Sequence, residues 1–404
     1  MTDFMSYLFV EPFPGPWLVQ DLIALILSLV LLVYIIKRNR HPVTTVLEVF
    51  AFVFFYASVY ENAACVMGLY SYGRSFSMIG YVPAAVPLIE VCVLICGFWL
   101  LEKTAVPDWA KPPIIGLFGM LQDFSLDPLA IRQVFTSGGV TSARWNWLIS
   151  ATDVNILNVP VFNFPGWMLI MLYASSCLLV GRWWYRKSGY KPLVGAVYPF
   201  LTIFAALLLM ISPISNLLLW FGPFFTKGSS IEWFMLAFHF IVPITLLAVF
   251  WRGRMTARIT ADDLPIFLIP TALHLSDIVF TLIGGYSEIL WIVLLASAAQ
   301  TAESMPPLTP MTRPRRFRPR TDCLRNSPMR STSAGRSSVN TSGDRAPMAA
   351  FVGFIDSPRC VFSRLRPLMS GRSSRMAHAV KWRSRRAGCC FRSHRRSAAP
   401  ACRS

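Results

Sequence analysis

Along residues 1–300, long apolar stretches alternate with short polar connections. The apolar stretches fall at about 17–36, 44–64, 82–101, 112–130, 164–182, 192–212, 231–251 and 264–283, with a weaker ninth near 286–300. Each approaches the roughly 20 residues that a helix needs to cross the hydrocarbon core of a bilayer. Positions 19–36 and 236–250 are the clearest, whereas 112–130 is interrupted by Gln122, Asp123 and Asp127. The pattern predicts an all-α, polytopic transmembrane helical bundle of about eight spans, within a range of seven to nine. No cationic segment precedes the first span and no small-residue cleavage site follows it, so it reads as a retained anchor.

Composition agrees. The chain has 404 residues, of which 54% are apolar and only 14% charged, against roughly 25% charged in soluble domains. The net charge of +18 invites a nucleic-acid reading, which the placement of the charges removes. Residues 1–300 hold 16 Lys and Arg against 16 Asp and Glu, while residues 301–404 hold 22 against four. With the N-terminus outside, the inner connections carry twelve Lys and Arg, among them Lys37, Lys103, Arg182 and Arg186. The outer connections carry four, Arg74, Arg132, Arg144 and Lys227. That asymmetry is expected of a chain whose basic loops are retained on the cytoplasmic side. The longest outer connection, about 131–163, contains Trp145 and Trp147, which suit a segment at headgroup level.

The expected domain division is therefore a membrane bundle over 1–300 and an Arg/Ser/Pro-rich tail over 301–404. The tail shows neither helical nor strand periodicity and is expected to be disordered. Binding of anionic lipid, binding of RNA through segments such as Arg313–Arg320, and sequence read out of frame are its three readings. One Lys beside 21 Arg, with five unpaired Cys, favours the last. No function is assigned to the tail.

An ionisable side chain in hydrocarbon is costly, so acids within spans are functional candidates. Glu61, Glu90, Asp123, Asp127 and Asp277 all fall in the outer halves of their expected spans, as do His239 and His274. They would converge on one level of the bundle. Asp123 and Asp127, four apart, share a helix face. Each also has a structural explanation: Asp127 precedes Pro128 and would cap a helix, Glu61 would be interfacial, and His239 would be a bonded core histidine. His274 and Asp277 would pair with one another. Glu90, in an uninterrupted apolar run, is the hardest to explain structurally. None of the cysteines has the spacing of a metal site.

The stretch from Glu61 to Trp167 resembles the carotenoid biosynthesis membrane-protein family that includes the carotenoid 1,2-hydratases and bisanhydrobacterioruberin hydratase. The matching pieces are Glu61 with Gly68-Leu-Tyr70-Ser-Tyr72, then Pro83-Ala-Ala-Val-Pro87-Leu-Ile-Glu90 and Asp123-Phe-Ser-Leu-Asp127-Pro128. Trp145-Asn-Trp147 and Val159-Pro160-Val-Phe-Asn163-Phe-Pro-Gly166-Trp167 complete them. The resemblance implies a multi-pass protein of a prokaryotic cell membrane that adds water to the terminal C=C of an acyclic carotenoid. The partners are then the carotenoid, lycopene-like or elongated, with water and the lipid bilayer; no nucleic acid, metal or other cofactor is called for. Protonating a trisubstituted alkene gives a tertiary cation, so the chemistry needs a carboxylic acid held neutral, which burial favours. A second, ionised carboxylate stabilises the cation and takes a proton from water. On this reading Glu90 or Asp123 is the acid and Asp127 or Glu61 its partner. Tyr70, Tyr72, Trp145, Trp147, Asn163 and Trp167 bind substrate, the aromatic faces attracting positive charge. His239, His274 and Asp277 lend polar support.

Two rivals stand beside it. Asp123-x-x-x-Asp127, with Asp262-Asp263 as a poor second motif, would suit an intramembrane prenyltransferase holding magnesium and a diphosphate. Intramembrane acids and histidines would also suit a transporter or lipid-binding protein.

Overall fold

The structure, a computed structural model, describes residues 14–137, 140–148, 153–250 and 260–304. The tail from 305 onward and the basic residues Arg252, Arg254 and Arg258 lie outside the described residues. The chain is an all-α polytopic bundle. Its helices are α1 (Gly15–Arg38), α2 (Pro42–Val66), α3 (Ala85–Glu102), α4 (Lys111–Ala130), α5 (Asn163–Lys187) and α6 (Pro192–Met210). The short α7 (Pro213–Trp220), then α8 (Ile231–Phe250), α9 (Leu264–Ile283) and α10 (Ser287–Ser304) complete them. Seven are long and apolar enough to cross a membrane: α1, α2, α3, α5, α6, α8 and α9 with the turn before it.

The interrupted fourth stretch is the centre of the bundle. Nineteen of the twenty residues of α4 are buried, and α3, α5, α8, α9 and α10 all pack against it. It escapes the apolarity expected of a span because protein, not lipid, surrounds it. By contrast α1, α6 and α8 turn broad apolar faces outward, with Ile26, Leu201 and Ile241 each more than half exposed.

The tightest contact is between α4 and α5. A Cβ on Gly116 would meet Met168 Cγ at 2.7 Å, and one on Gly119 would meet Met171 Cγ at 2.6 Å. Small residues at such a crossing let two backbones approach closely. Helix α2 carries a π turn at Val53–Ala57, which inserts one extra residue before its outer half. The Ser58 hydroxyl donates to the Val53 carbonyl across that turn at 2.7 Å.

The outer connections contain strands that the sequence pattern does not announce. β1 (Tyr70–Tyr72) is joined by the hairpin β2 (Met78–Ile79) and β3 (Val82–Pro83) to α3. Between α4 and α5 lie β4 (Val134–Ser137), β5 (Val140–Ala143), β6 (Trp145–Trp147), β7 (Asn155–Ile156) and β8 (Val159–Pro160). β1 pairs antiparallel with β6, placing Tyr70 opposite Trp147 and Tyr72 opposite Trp145. Trp145 is only 2% exposed, so this connection folds inward over the bundle instead of offering both tryptophans to a headgroup layer.

Gly116→Val and Gly119→Val each overpack the α4–α5 crossing and should cost about 1–3 kcal/mol, read as a lower melting temperature of the detergent-solubilised protein. Unchanged melting in both would show that the crossing is not close-packed.

Candidate functional site

The site is built on α2, α3, α4 and the start of α5. Beyond the π turn, α2 presents Tyr60 and Glu61, both buried. Glu61 Oε2 accepts from the Tyr70 hydroxyl at 2.5 Å and from the Tyr72 hydroxyl at 2.6 Å. Tyr70 and Tyr72 are two apart on one strand and so share a face. Trp147 packs edge-on against Tyr70 at 4.7 Å between ring centroids, and Trp145 packs tilted against Tyr72 at 4.8 Å. Burial, with the Glu61 charge beside them, pushes both phenols well above their ordinary range. They therefore remain donors to Glu61 at any physiological pH.

Glu90, in the second turn of α3, is fully buried and accepts a hydrogen bond from the Tyr60 hydroxyl. Tyr60 precedes Glu61 on α2 and feels its charge. On α4, Asp123 and Asp127 lie one turn apart, both fully buried. The side-chain amide of Asn163, the first residue of α5, donates to Asp123 Oδ2 at 2.8 Å and to Asp127 Oδ2 at 2.7 Å. The Trp147 indole approaches Asp127 Oδ2 at 3.4 Å. The two aspartyl groups are thereby held close enough to interact electrostatically. The charge of Glu61 is felt at both. Four acids thus form one electrostatic unit whose donors among the described residues are uncharged: Tyr60, Tyr70, Tyr72, Asn163 and Trp147.

A cleft of about 480 Å³ runs along this unit. Apolar side chains of α2, α5, α6 and α7, including Val59, Met67, Ile170 and Leu207, make most of its wall. Val59, Met67 and Ile211 are 42%, 68% and 70% exposed, so the cleft opens to the surface between α2 and the α6–α7 corner. Its inner wall carries Tyr60, Glu61, Tyr70, Trp147, Asn163 and Trp167. Of the four acids only Glu61 lines it. Glu90 stands behind Tyr60, and Asp123 and Asp127 behind Asn163.

The remaining expected site residues do not join this group. Asp277 accepts from Ser125 at 2.7 Å and from the Gln122 amide at 3.0 Å, on the opposite face of α4. His274 Nδ1 lies 3.0 Å from the same Ser125 hydroxyl and 3.3 Å from that of Ser297 on α10. His274 and Asp277 therefore meet through Ser125. The single converging level is in fact two centres, back to back across α4. His239 belongs to neither, since its Nδ1 bonds the Met235 carbonyl of its own helix at 2.7 Å. Asp262 and Asp263 pair with Arg38 and Lys103. Asp263 lies fourteen residues before Asp277, roughly 20 Å at helical rise, so the two aspartate pairs do not face one another.

Three participants escaped the sequence reading. Tyr60 is next to Glu61, but a tyrosine in an apolar run carries no signal of its own. Ser125 sits between two aspartates yet on the other face of α4. Arg144 reads as a loop charge but is buried, donating to Gln20 and to Asp21 at 2.8 Å, with the Asp277 charge nearby. Burial pushes its guanidinium below the usual range, opposed by Asp21 and Asp277. Arg144 adjoins β6, so it ties the strand that carries Trp145 and Trp147 to α1.

No family model, curated protein or solved structure matches the chain.

Arg144→Met strands the Asp21 carboxylate in the protein interior and should destabilise by about 3–5 kcal/mol. Combining it with Asp21→Leu should recover part of that loss in unfolding experiments. Equal melting of the wild type and Arg144→Met would show that the pair does not hold β6 in place.

Proposed function

We propose that the chain is a cofactor-independent hydratase that adds water to the terminal double bond of an acyclic carotenoid. The observation that carries this reading is the apolar cleft, open at the surface and ending on Glu61, Tyr60 and Asn163. A long hydrocarbon would lie against Val59, Met67, Ile170 and Leu207, with its end at Glu61, the one carboxyl in the wall among the described residues. The resemblance over Glu61–Trp167 supplies the substrate class.

Each residue then has a task. A carboxylic acid behind the wall, Glu90 or Asp123, supplies the proton that converts the alkene to a tertiary cation. The faces of Tyr70, Trp147 and Trp167 surround the cation and stabilise it. Glu61, receiving two tyrosine hydrogen bonds, is prepared to act as a carboxylate, because bonds to the charged form favour it. It offsets the cation's charge and takes a proton from the attacking water as the C–O bond forms. One proton is consumed and one returned, so the reaction needs no external acid.

The His274–Ser125–Asp277 centre favours a second reading. Buried acids and histidines also serve proton relays, and this centre has no task in hydration. Proton-driven uptake of a solute into vesicles carrying the protein would favour transport.

Expressed in a lycopene-accumulating bacterium, the chain should produce a pigment heavier by one water, detected by chromatography and mass spectrometry. Glu61→Gln, Glu90→Gln and Asp123→Asn should each lower its yield, by about 10²–10⁴-fold in rate where the acid or base itself is removed. Wild-type rates in both Glu90→Gln and Asp123→Asn would sink the assignment of the acid.

A further inference from the structure

Resting on the hydration reading, we infer that Tyr60 is the proton bridge between Glu90 and the cleft, and that it joins Glu90 and Glu61 into one acid–base circuit. Glu90 does not reach the cleft, whereas Tyr60 lines it beside Glu61, donates to Glu90 Oε1 and feels the Glu61 charge. Asp123 and Asp127 are screened from the cleft by Asn163. A carboxamide orients and stabilises carboxyls but is a poor proton carrier. A phenol accepts one proton while releasing another, so only the Glu90 branch has a route to substrate.

The circuit balances. In the forward step the Tyr60 hydroxyl, which donates to Glu90 at rest, turns to the terminal alkene carbon and gives it its proton while the Glu90 carboxyl gives its own to the Tyr60 oxygen. The alkene becomes a cation, Glu90 becomes a carboxylate and Tyr60 is unchanged. Water then bonds to the cation and loses a proton to Glu61. In the reset step protonated Glu61 gives a proton to the Tyr60 oxygen as the Tyr60 proton passes to Glu90. No oxidant, reductant or further acid enters. Burial suits the phenol to this task, since Tyr60 is 7% exposed and bulk water does not compete for its hydroxyl.

Tyr60→Phe keeps the ring and deletes the bridge. In isolated membranes it should lower the hydration rate about 10²–10⁴-fold with little change in the substrate concentration giving half-maximal rate. Infrared difference spectra provide a readout without substrate. The carbonyl stretch of a protonated carboxyl, removed by Glu90→Gln, should move in Tyr60→Phe as its hydrogen bond is lost. Tyr60→Leu, which also removes the ring, shows whether any effect is one of packing, and melting temperatures show whether each variant is folded. A full hydration rate in Tyr60→Phe, or a Glu90 band that does not move, overturns the bridge. A band that moves while the wild type hydrates no carotenoid supports the bridge and overturns the hydration reading instead.

Discussion

Everything in this bundle depends on where α4 is allowed to sit. It carries Asp123 and Asp127 on one face and Gln122 and Ser125 on another, so no face of it is suited to lipid. A single charged residue at the centre of a membrane helix costs about 2.5–3.5 kcal/mol on insertion scales, and several would exclude the helix from the bilayer. The solution is to surround it with α3, α5, α8, α9 and α10. Gly116 and Gly119 let α5 close in until Met168 and Met171 touch the α4 backbone ridge. That same approach sets Asn163 between the two aspartates. Lipid contact then falls to α1, α6 and α8, whose exposed faces are rows of Leu, Ile, Val and Phe.

A helix polar on two faces makes two centres. One faces α5 and the cleft, the other faces α9 and α10, and the backbone of α4 separates them. Their polar groups also differ in what balances them. The Asp277 side has a cation nearby in Arg144; on the cleft side Lys227 lies over the Phe162 ring in the wall, and the acids themselves take their hydrogen bonds from phenols, an indole and an amide. Neutral donors hold carboxyls in place without fixing their charge, which is what proton transfer requires of them. The outer strands connect the two sides. β6 brings Trp147 to Asp127 and, through its partner β1, Tyr70 to Glu61, while Arg144 just before it anchors to α1.

The helices were legible because a membrane span is a property of composition over some 20 residues, and every apolar stretch from 17–36 to 286–300 coincides with a helix. The strands were not, because β1 and β6 are three residues each and pair across about 75 positions; alternation over three residues is no pattern. Four-residue spacing placed Asp123 and Asp127 on one face, yet it could not show that α9 would take the other face, since that depends on packing order. His239 illustrates the limit from the opposite side. Its level in the membrane was readable, but an imidazole that bonds its own helix at Met235 looks the same in sequence as one aimed into a site. Tyr60 was invisible for a simpler reason. A phenol matters by what its hydroxyl touches, and Glu90 is thirty residues away.

The placement of the acids relative to the cleft bears on how a tertiary cation could be made and used in such a place. A carboxylate in direct contact with a carbocation is also a nucleophile, and a row of them would trap it as an ester. Here one carboxyl, Glu61, faces the cleft, and two tyrosine hydrogen bonds to a single oxygen blunt it while holding its orientation. The other three stand one side chain back, behind Tyr60 and Asn163. On the hydration reading that spacing lets negative charge stabilise the cation across a short distance, with aromatic faces in contact and carboxylates out of bonding range. Water admitted beside Glu61 is then held where Glu61 can take its proton as it bonds to the cation.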